Sequence, residues 1–309
     1  MDHFADRLTA ALRAKGNALC VGLDPRWDLL PQEVRSRYAD DTLEAAARAY
    51  EEFCARVIDI VTPLVAVVKA QSAFFEACGA PGLATLQRLL RRARSKGLMT
   101  ILDSKRNDIA ATAVAYADAA YAGVPLAERL HAVWDADALT VNPYLGRDAV
   151  EPFLESARRS ARGVFVLVRT SNPGAGQFQD LKCHDRPLFQ YVAEAVQQWT
   201  RENLGRSGFG DVGAVVGATH AAELAAVRGT LPDAFLLVPG FGAQGGTATD
   251  TAPAFRKDGL GALVNSSRAV IFPFPPADSD WETKIETATR AAITELARAT
   301  PIANLAARK

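Results

Sequence analysis

Eight short apolar runs punctuate the chain, and between them lie longer segments in which apolar positions recur at helical spacing. The runs are ALCVGLD (18–24), LVAVVKAQSAFF (64–75), LMTILDSK (98–105), ALTVNPY (138–144), GVFVLVRTS (163–171), GAVVGATH (213–220), AFLLVPG (234–240) and GALVNSSR (261–268). Each is nearly continuous in Val, Leu, Ile and Ala rather than alternating, the pattern of a parallel strand buried on both faces. The intervening stretches, such as DTLEAAARAYEEFCARVIDIV (41–61) and PGLATLQRLLRRARSKG (81–97), read as amphipathic helices. A helical segment over about 1–16 precedes the first run, and a helix over about 278–300 follows the last. Eight strand–helix units in 309 residues predict an α/β protein, a (β/α)₈ TIM barrel. A doubly wound open sheet is the alternative, but it usually has fewer strands and no reason to stop at eight. No linker, repeat or low-complexity tract divides residues 1–309, so they are read as a single domain.

Composition narrows the function without naming it. The chain is 49% hydrophobic and 23% charged, with 35 acidic and 35 basic residues. A net charge of zero argues against a dedicated nucleic-acid-binding or membrane-surface protein. The basic run RLLRRARSK (88–96) has helical spacing and reads as a solvated helix face rather than a phosphate patch. Cys20, Cys54, Cys78 and Cys183 are far apart, with no paired cysteines and no histidine at metal-ligand spacing, so neither a disulfide framework nor a metal site is expected. The N-terminal segment lacks the apolar core of a signal peptide, and no run approaches the ~18 apolar residues of a membrane span. A cytoplasmic location is the expectation.

The polar residues gather at one end of the predicted strands. Asp24, Lys69, Asp103, Lys105, Asn142, Ser171, His220, Gln244 and Arg268 all lie at or just past C-terminal strand ends, where barrel enzymes carry their active sites. The densest cluster is LDSKRND (102–108). Asp103 and Lys105, two positions apart on a strand, point to the same side. Asp108 follows past the turn into the helix and is placed to face a neighbouring subunit. Helix capping does not account for a lysine aimed into a barrel mouth.

DSKRNDIAAT (103–112) resembles the D-x-K-x-x-D-I-x-x-T motif of the orotidine 5′-phosphate decarboxylase family. VGLDP (21–25), VKAQSAFFE (68–76), TSNPG (170–174), PGFGAQGG (239–246) and VNSSR (264–268) match other strand ends of that family in order, and resemble its longer bacterial branch. The resemblance implies a (β/α)₈ enzyme that converts orotidine monophosphate to uridine monophosphate without a cofactor or metal. It gives Lys105 the role of proton donor within an alternating Lys69–Asp103–Lys105–Asp108 network. It also implies that Asp24 and Lys69 bind ribose hydroxyls and that Ser171 hydrogen-bonds the pyrimidine. Asp108 and Thr112 would reach the partner's substrate, making the enzyme a homodimer with shared sites.

The Gly240, Gly242 and Gly245 spacing formally matches a dinucleotide fingerprint, but it follows the seventh strand instead of opening a βαβ unit. A phosphate-gripping loop is the better reading, with Gly242, Gly245, Gln244 and Arg268 on the substrate phosphate. His220 is assigned no catalytic role. Asn107 stands where glycine is more usual; asparagine tolerates the left-handed conformation, so the turn is expected to survive. Ala110 is expected to be harmless. Two rivals remain: a magnesium-dependent sugar-phosphate decarboxylase on the same D-x-K-x-x-D frame, and a non-catalytic barrel that binds phosphorylated ligands.

Overall fold

Every predicted apolar run forms a strand, and the strands close. The computed structural model describes residues 2–121, 123–218, 221–242 and 245–306. Its strands are β1 (Leu19–Leu23), β2 (Val67–Gln71), β3 (Met99–Arg106), β4 (Ala138–Val141), β5 (Gly163–Arg169), β6 (Val212–Val216), β7 (Leu236–Val238) and β8 (Ala262–Ser266). Each pairs in parallel with its neighbour in sequence, and β8 closes on β1 with Cys20 opposite Asn265. The order expected of a (β/α)₈ barrel is therefore present in full, and the open-sheet alternative is excluded.

The helices follow the same sequence logic. α1 (Phe4–Lys15) precedes the barrel, and α2 (Leu43–Val61), α3 (Gly79–Ser95), α4 (Ala110–Ala120), α5 (Arg147–Arg159), α6 (Leu188–Arg201) and α7 (Ala221–Thr230) follow the first six strands. After β7 the chain makes only a short helical turn at Ala248–Thr251, whereas α8 (Trp281–Ala299) follows β8. α2 begins on the Thr42 hydroxyl, which accepts the Ala45 amide at 3.1 Å. Three cations of the basic run, two on α3 and Lys96 just past its end, are taken up by acids of α2: Arg88 by Glu51 at 2.5 Å, and Arg92 and Lys96 by Asp59 at 2.6 and 2.9 Å. The basic run is thus a paired helix face. Cys20, Cys54 and Cys78 are buried free thiols, Cys183 is exposed, and burial pushes the Cys20 thiol up to about 12. Among the described residues, no helix is long and apolar enough to cross a membrane.

Three departures from the predicted pattern occur beyond the barrel rim. The second strand stops at Gln71, and Ser72–Glu76 turns into a short helix that buries Phe75. The segment after β5, in which no elements are predicted, is structured: a turn at Pro173–Ala175, a helical turn at Gly176–Gln179, and a hairpin pairing Lys182–Cys183 with Arg186–Pro187. Gln179 ties it down, accepting the Thr170 amide at 3.0 Å and donating to its hydroxyl at 2.8 Å. A second hairpin, Val124–Leu126 against Arg129–His131, was not foreseen.

The end of the barrel away from the polar strand termini is fastened by a buried carboxylate. Asp137, 3% exposed, accepts from Arg7 at 2.9 Å, from the Thr100 amide at 3.0 Å, and from the buried Arg162 guanidinium. This joins α1, β3 and the starts of β4 and β5. Replacing Asp137 by alanine leaves Arg162 buried without its main partner, and is expected to destabilise the fold by about 3–5 kcal/mol. Urea denaturation measures this directly, and activity per folded molecule should be unchanged.

Candidate active site

The charged end of β3 is not a regular strand. Leu102 pairs with Leu139, yet the next partners are Arg106 and Val141, so β3 bulges between them. Lys105 sits in that bulge with φ 48°, a left-handed conformation that costs a non-glycine residue roughly 1–2 kcal/mol. Simple alternation therefore does not bring Asp103 and Lys105 together; the bulge does. Thr140 of β4 fastens it, accepting the Lys105 amide at 2.9 Å and donating to Asp103 Oδ1 at 2.8 Å. Beyond the bulge, the Arg106 carbonyl accepts the Asn142 amide at 2.9 Å, and its guanidinium reaches Glu76 at 2.8 Å. The left-handed turn foreseen at Asn107 falls instead at Lys105 and at Ala110, φ 47°. Ala110 therefore carries backbone strain of its own.

Asp103 is the hub of the charges. Lys105 Nζ reaches its Oδ1 at 2.7 Å and Lys69 Nζ reaches its Oδ2 at 2.8 Å, while Asp24 lies 4.0 Å from Lys69. Burial alone would raise the Asp103 carboxyl, but Lys69 and Lys105 outweigh it and hold the group well below the usual carboxylate range. Burial likewise opposes the Lys69 ammonium, and Asp103 and Asp24 outweigh it, so that lysine stays charged. Lys69 and Asp103 are almost sealed from solvent, whereas the Lys105 side chain keeps 43% of its surface exposed. A buried ion pair thus supports an accessible ammonium.

These groups form one wall of a cavity of about 550 Å³ at the C-terminal end of the barrel. Ser171, Asn172 and Arg268 line it from the β5 and β8 ends, and Leu167, Val215 and Leu237 give it an apolar floor. Of the residues singled out in the sequence, the structure brings together Asp24, Lys69, Asp103, Lys105, Ser171 and Arg268. Asp108 and Thr112 do not line the cavity; Asp108 is half-buried, accepting the Ile109 amide at 2.8 Å, and Thr112 is exposed. Gly242 and Gly245 also lie off the cavity wall, in a tight turn with positive φ of 81° and 89°. Their amides are used within that turn, on Gly246 and Gly242 carbonyls at 2.9 and 3.0 Å, so they are less available to an anion than the sequence suggested. Gln244 and His220 fall outside the described residues.

Sequence reasoning missed Thr140, Asn265 and Ser267. Thr140 is a small polar residue inside an apolar run, a signal easily taken for tolerated packing, whereas Asn265 and Ser267 lie in the polar stretch that ends β8 and read as a strand end.

A sequence profile for the orotidine 5′-phosphate decarboxylase / HUMPS family matches residues 17–277. An orotidine 5′-phosphate decarboxylase of Rhodopirellula baltica is 47% identical over 296 residues, covering 94% of this chain and 97% of the relative. The chain belongs to the orotidine 5′-phosphate decarboxylase family. A second family member, from Caldicellulosiruptor saccharolyticus, is 39% identical over 91% of this chain and 94% of its own. Among solved structures, OMP decarboxylase of Leishmania donovani superposes with a TM-score of 0.72 at 34% identity, covering 96% of this chain and 98% of that one. The near-complete coverage at this length places the chain with the longer, type 2 decarboxylases.

Proposed function

We propose that Lys105 and Asp103 carry the chemistry of orotidine 5′-phosphate decarboxylation, the activity that family membership gives this chain. The substrate is orotidine monophosphate, and the products are uridine monophosphate and carbon dioxide, a step of pyrimidine biosynthesis. The observation that carries the assignment of residues is the Lys69–Asp103–Lys105 array: a buried carboxylate between two ammonium groups, one of them open to the cavity.

Loss of carbon dioxide from an sp² ring carbon leaves a localised electron pair, which the pyrimidine ring cannot delocalise. A fixed cation beside that carbon stabilises the developing charge, and the same group can then deliver a proton to it. Lys105 meets both needs. Asp103, beside the scissile carboxylate, disfavours that group's retention and keeps Lys105 oriented. Lys69 offsets the Asp103 charge, so the cluster enters the reaction already paired.

Magnitudes show why the rest of the cavity matters. A general acid contributes ~10²–10⁴-fold, whereas the most demanding enzymatic accelerations require about 20 kcal/mol or more. Binding energy from a remote phosphate, gripped by Arg268 with Gln244 from the segment after β7, supplies the positioning that one lysine cannot. Asp24 and Lys69 would take ribose hydroxyls, and Ser171 the pyrimidine.

Neither Asp108 nor Thr112 lines its own cavity, which supports a homodimer in which each reaches the partner's substrate. The exposed apolar residues Ile109, Val114 and Tyr116 beside them are suited to burial against a second copy.

The purified protein is expected to consume orotidine monophosphate, followed by the pyrimidine absorbance change, at a rate that survives dialysis and chelation. Loss of activity on chelation, restored by magnesium, would instead favour the sugar-phosphate decarboxylase type of site.

A further inference from the structure

Among the described residues, two buried side-chain atoms without a hydrogen-bond partner belong to residues that line the cavity: Asp24 Oδ1 and Asn265 Oδ1. Asp24 already has a reading, as a ribose ligand. Asn265 has none. It lies on β8 opposite Cys20, is 7% exposed, and so is an amide buried at the edge of an otherwise apolar floor. Its Nδ2 reaches Ser267 Oγ at 3.4 Å. Turning the amide over would let Ser267 donate to the oxygen and leave the nitrogen unmet, so one end of Asn265 lacks a partner either way. A buried polar end left unpaired costs stability, and a cavity-lining one is satisfied when a ligand arrives.

Ser267 occupies the adjoining corner. It too lines the cavity, and it stands over Gly22 of β1: a β-carbon on Gly22 would fall 1.9 Å from Ser267 Oγ and 3.2 Å from Asp24 Oδ1. The absence of a side chain at Gly22 is what lets the hydroxyl enter the mouth beside the carboxylate. Asp24, Ser267 and Asn265 therefore make a run of acceptor, hydroxyl and amide along the seam between β1 and β8. A phosphate oxygen is poorly suited to this corner, because it would meet the Asp24 carboxylate. A neutral hydroxyl, which can donate to Asp24 and accept from Ser267, suits it well.

We propose that Ser267 binds a ribose hydroxyl of the substrate together with Asp24, and that Asn265 is a positioning residue that orients the Ser267 hydroxyl for that contact. This rests on the substrate assignment given above and adds two residues to the recognition of its sugar.

The test couples enzyme variants to substrate variants. Ser267→Gly and Asn265→Ala are assayed with orotidine monophosphate and with its 2′-deoxy and 3′-deoxy forms. With the full substrate, each variant is expected to lose roughly tenfold in kcat/KM, the scale of one hydrogen bond whose partner is left unmet. With the deoxy analogue that lacks the contacted hydroxyl, wild type loses activity by itself and the variants lose little more. The double variant should be no worse than Ser267→Gly alone, because Asn265 acts through the serine. A penalty of equal size on all three substrates, or no penalty for Ser267→Gly, overturns the proposal. If Asn265→Ala proves too unstable by thermal melting, Asn265→Leu, which keeps the volume, replaces it. Inactivity of the wild-type protein on orotidine monophosphate would instead defeat the substrate assignment itself.

Discussion

Lys105→Ala should abolish turnover of orotidine monophosphate almost completely, lowering kcat/KM by roughly 10⁴-fold or more as the proposed proton donor and fixed cation are lost together. The fold should tolerate the change. Lys105 is substantially exposed, and Asp103 keeps its bond to Lys69 at 2.8 Å and its bond from Thr140 at 2.8 Å. Alanine is also no worse than lysine in the left-handed backbone at this position. Melting temperature should therefore stay near wild type while activity falls, which separates a chemical role from a structural one. Uridine monophosphate production measured by chromatography, over hours, gives the sensitivity needed. A variant that retains activity within about tenfold of wild type would remove Lys105 from the chemical step. The contrast is Lys69: its loss would strip a deeply buried carboxylate of a partner, so stability and activity should fall together.

The second large effect is a recovery. Lys105→Ala and Asp108→Ala proteins should each be nearly inactive alone. Mixed in equal amounts and allowed to exchange subunits, they should regain roughly a quarter of wild-type activity. Half of the randomly formed dimers are mixed, and one of the two sites in each mixed dimer has a native Lys105 with a native Asp108 from its partner. Subunit exchange is checked independently, by mass-tagging one variant and isolating mixed dimers. If mixed dimers form and no activity returns, the two residues act in the same subunit. If both variants stay monomeric, the shared site is wrong at its root.

The barrel was legible in the sequence because a strand buried on both faces must be apolar almost throughout, and eight such runs leave few alternatives. The candidate catalytic cluster was legible for the opposite reason: Asp103 and Lys105 break an apolar run where burial of charge is costly. What could not be read was the route by which the backbone brings them together. A bulge depends on how β3 registers against β4, and the side chain that holds it, Thr140, looks in the sequence like one more β-branched strand residue. The hairpin at Val124–His131 was hidden because every residue of its three-residue strands is exposed, so that they carry no burial pattern. Asn265 and Ser267 carry no signal of their own in VNSSR, because short polar residues at a strand end are ordinary turn formers. The glycines after β7 were recognised as a turn, but only the structure reveals that the turn consumes their own amides.

Asp137 and Asp103 divide the labour of this molecule between the two ends of the same pair of strands. Thr100 meets Asp137 at one end of β3, and Asp103 meets Thr140 three residues further on, about 10 Å along the strand. The lower cluster fastens the fold, and the upper one, with its left-handed lysine and its confined charges, is the proposed seat of the chemistry and costs stability. Such spacing gives evolution two nearly independent dials. Substitutions that tighten the lower end can build a reserve of stability, and variation around the upper end can then draw on that reserve in exploring new substrates without first losing the barrel.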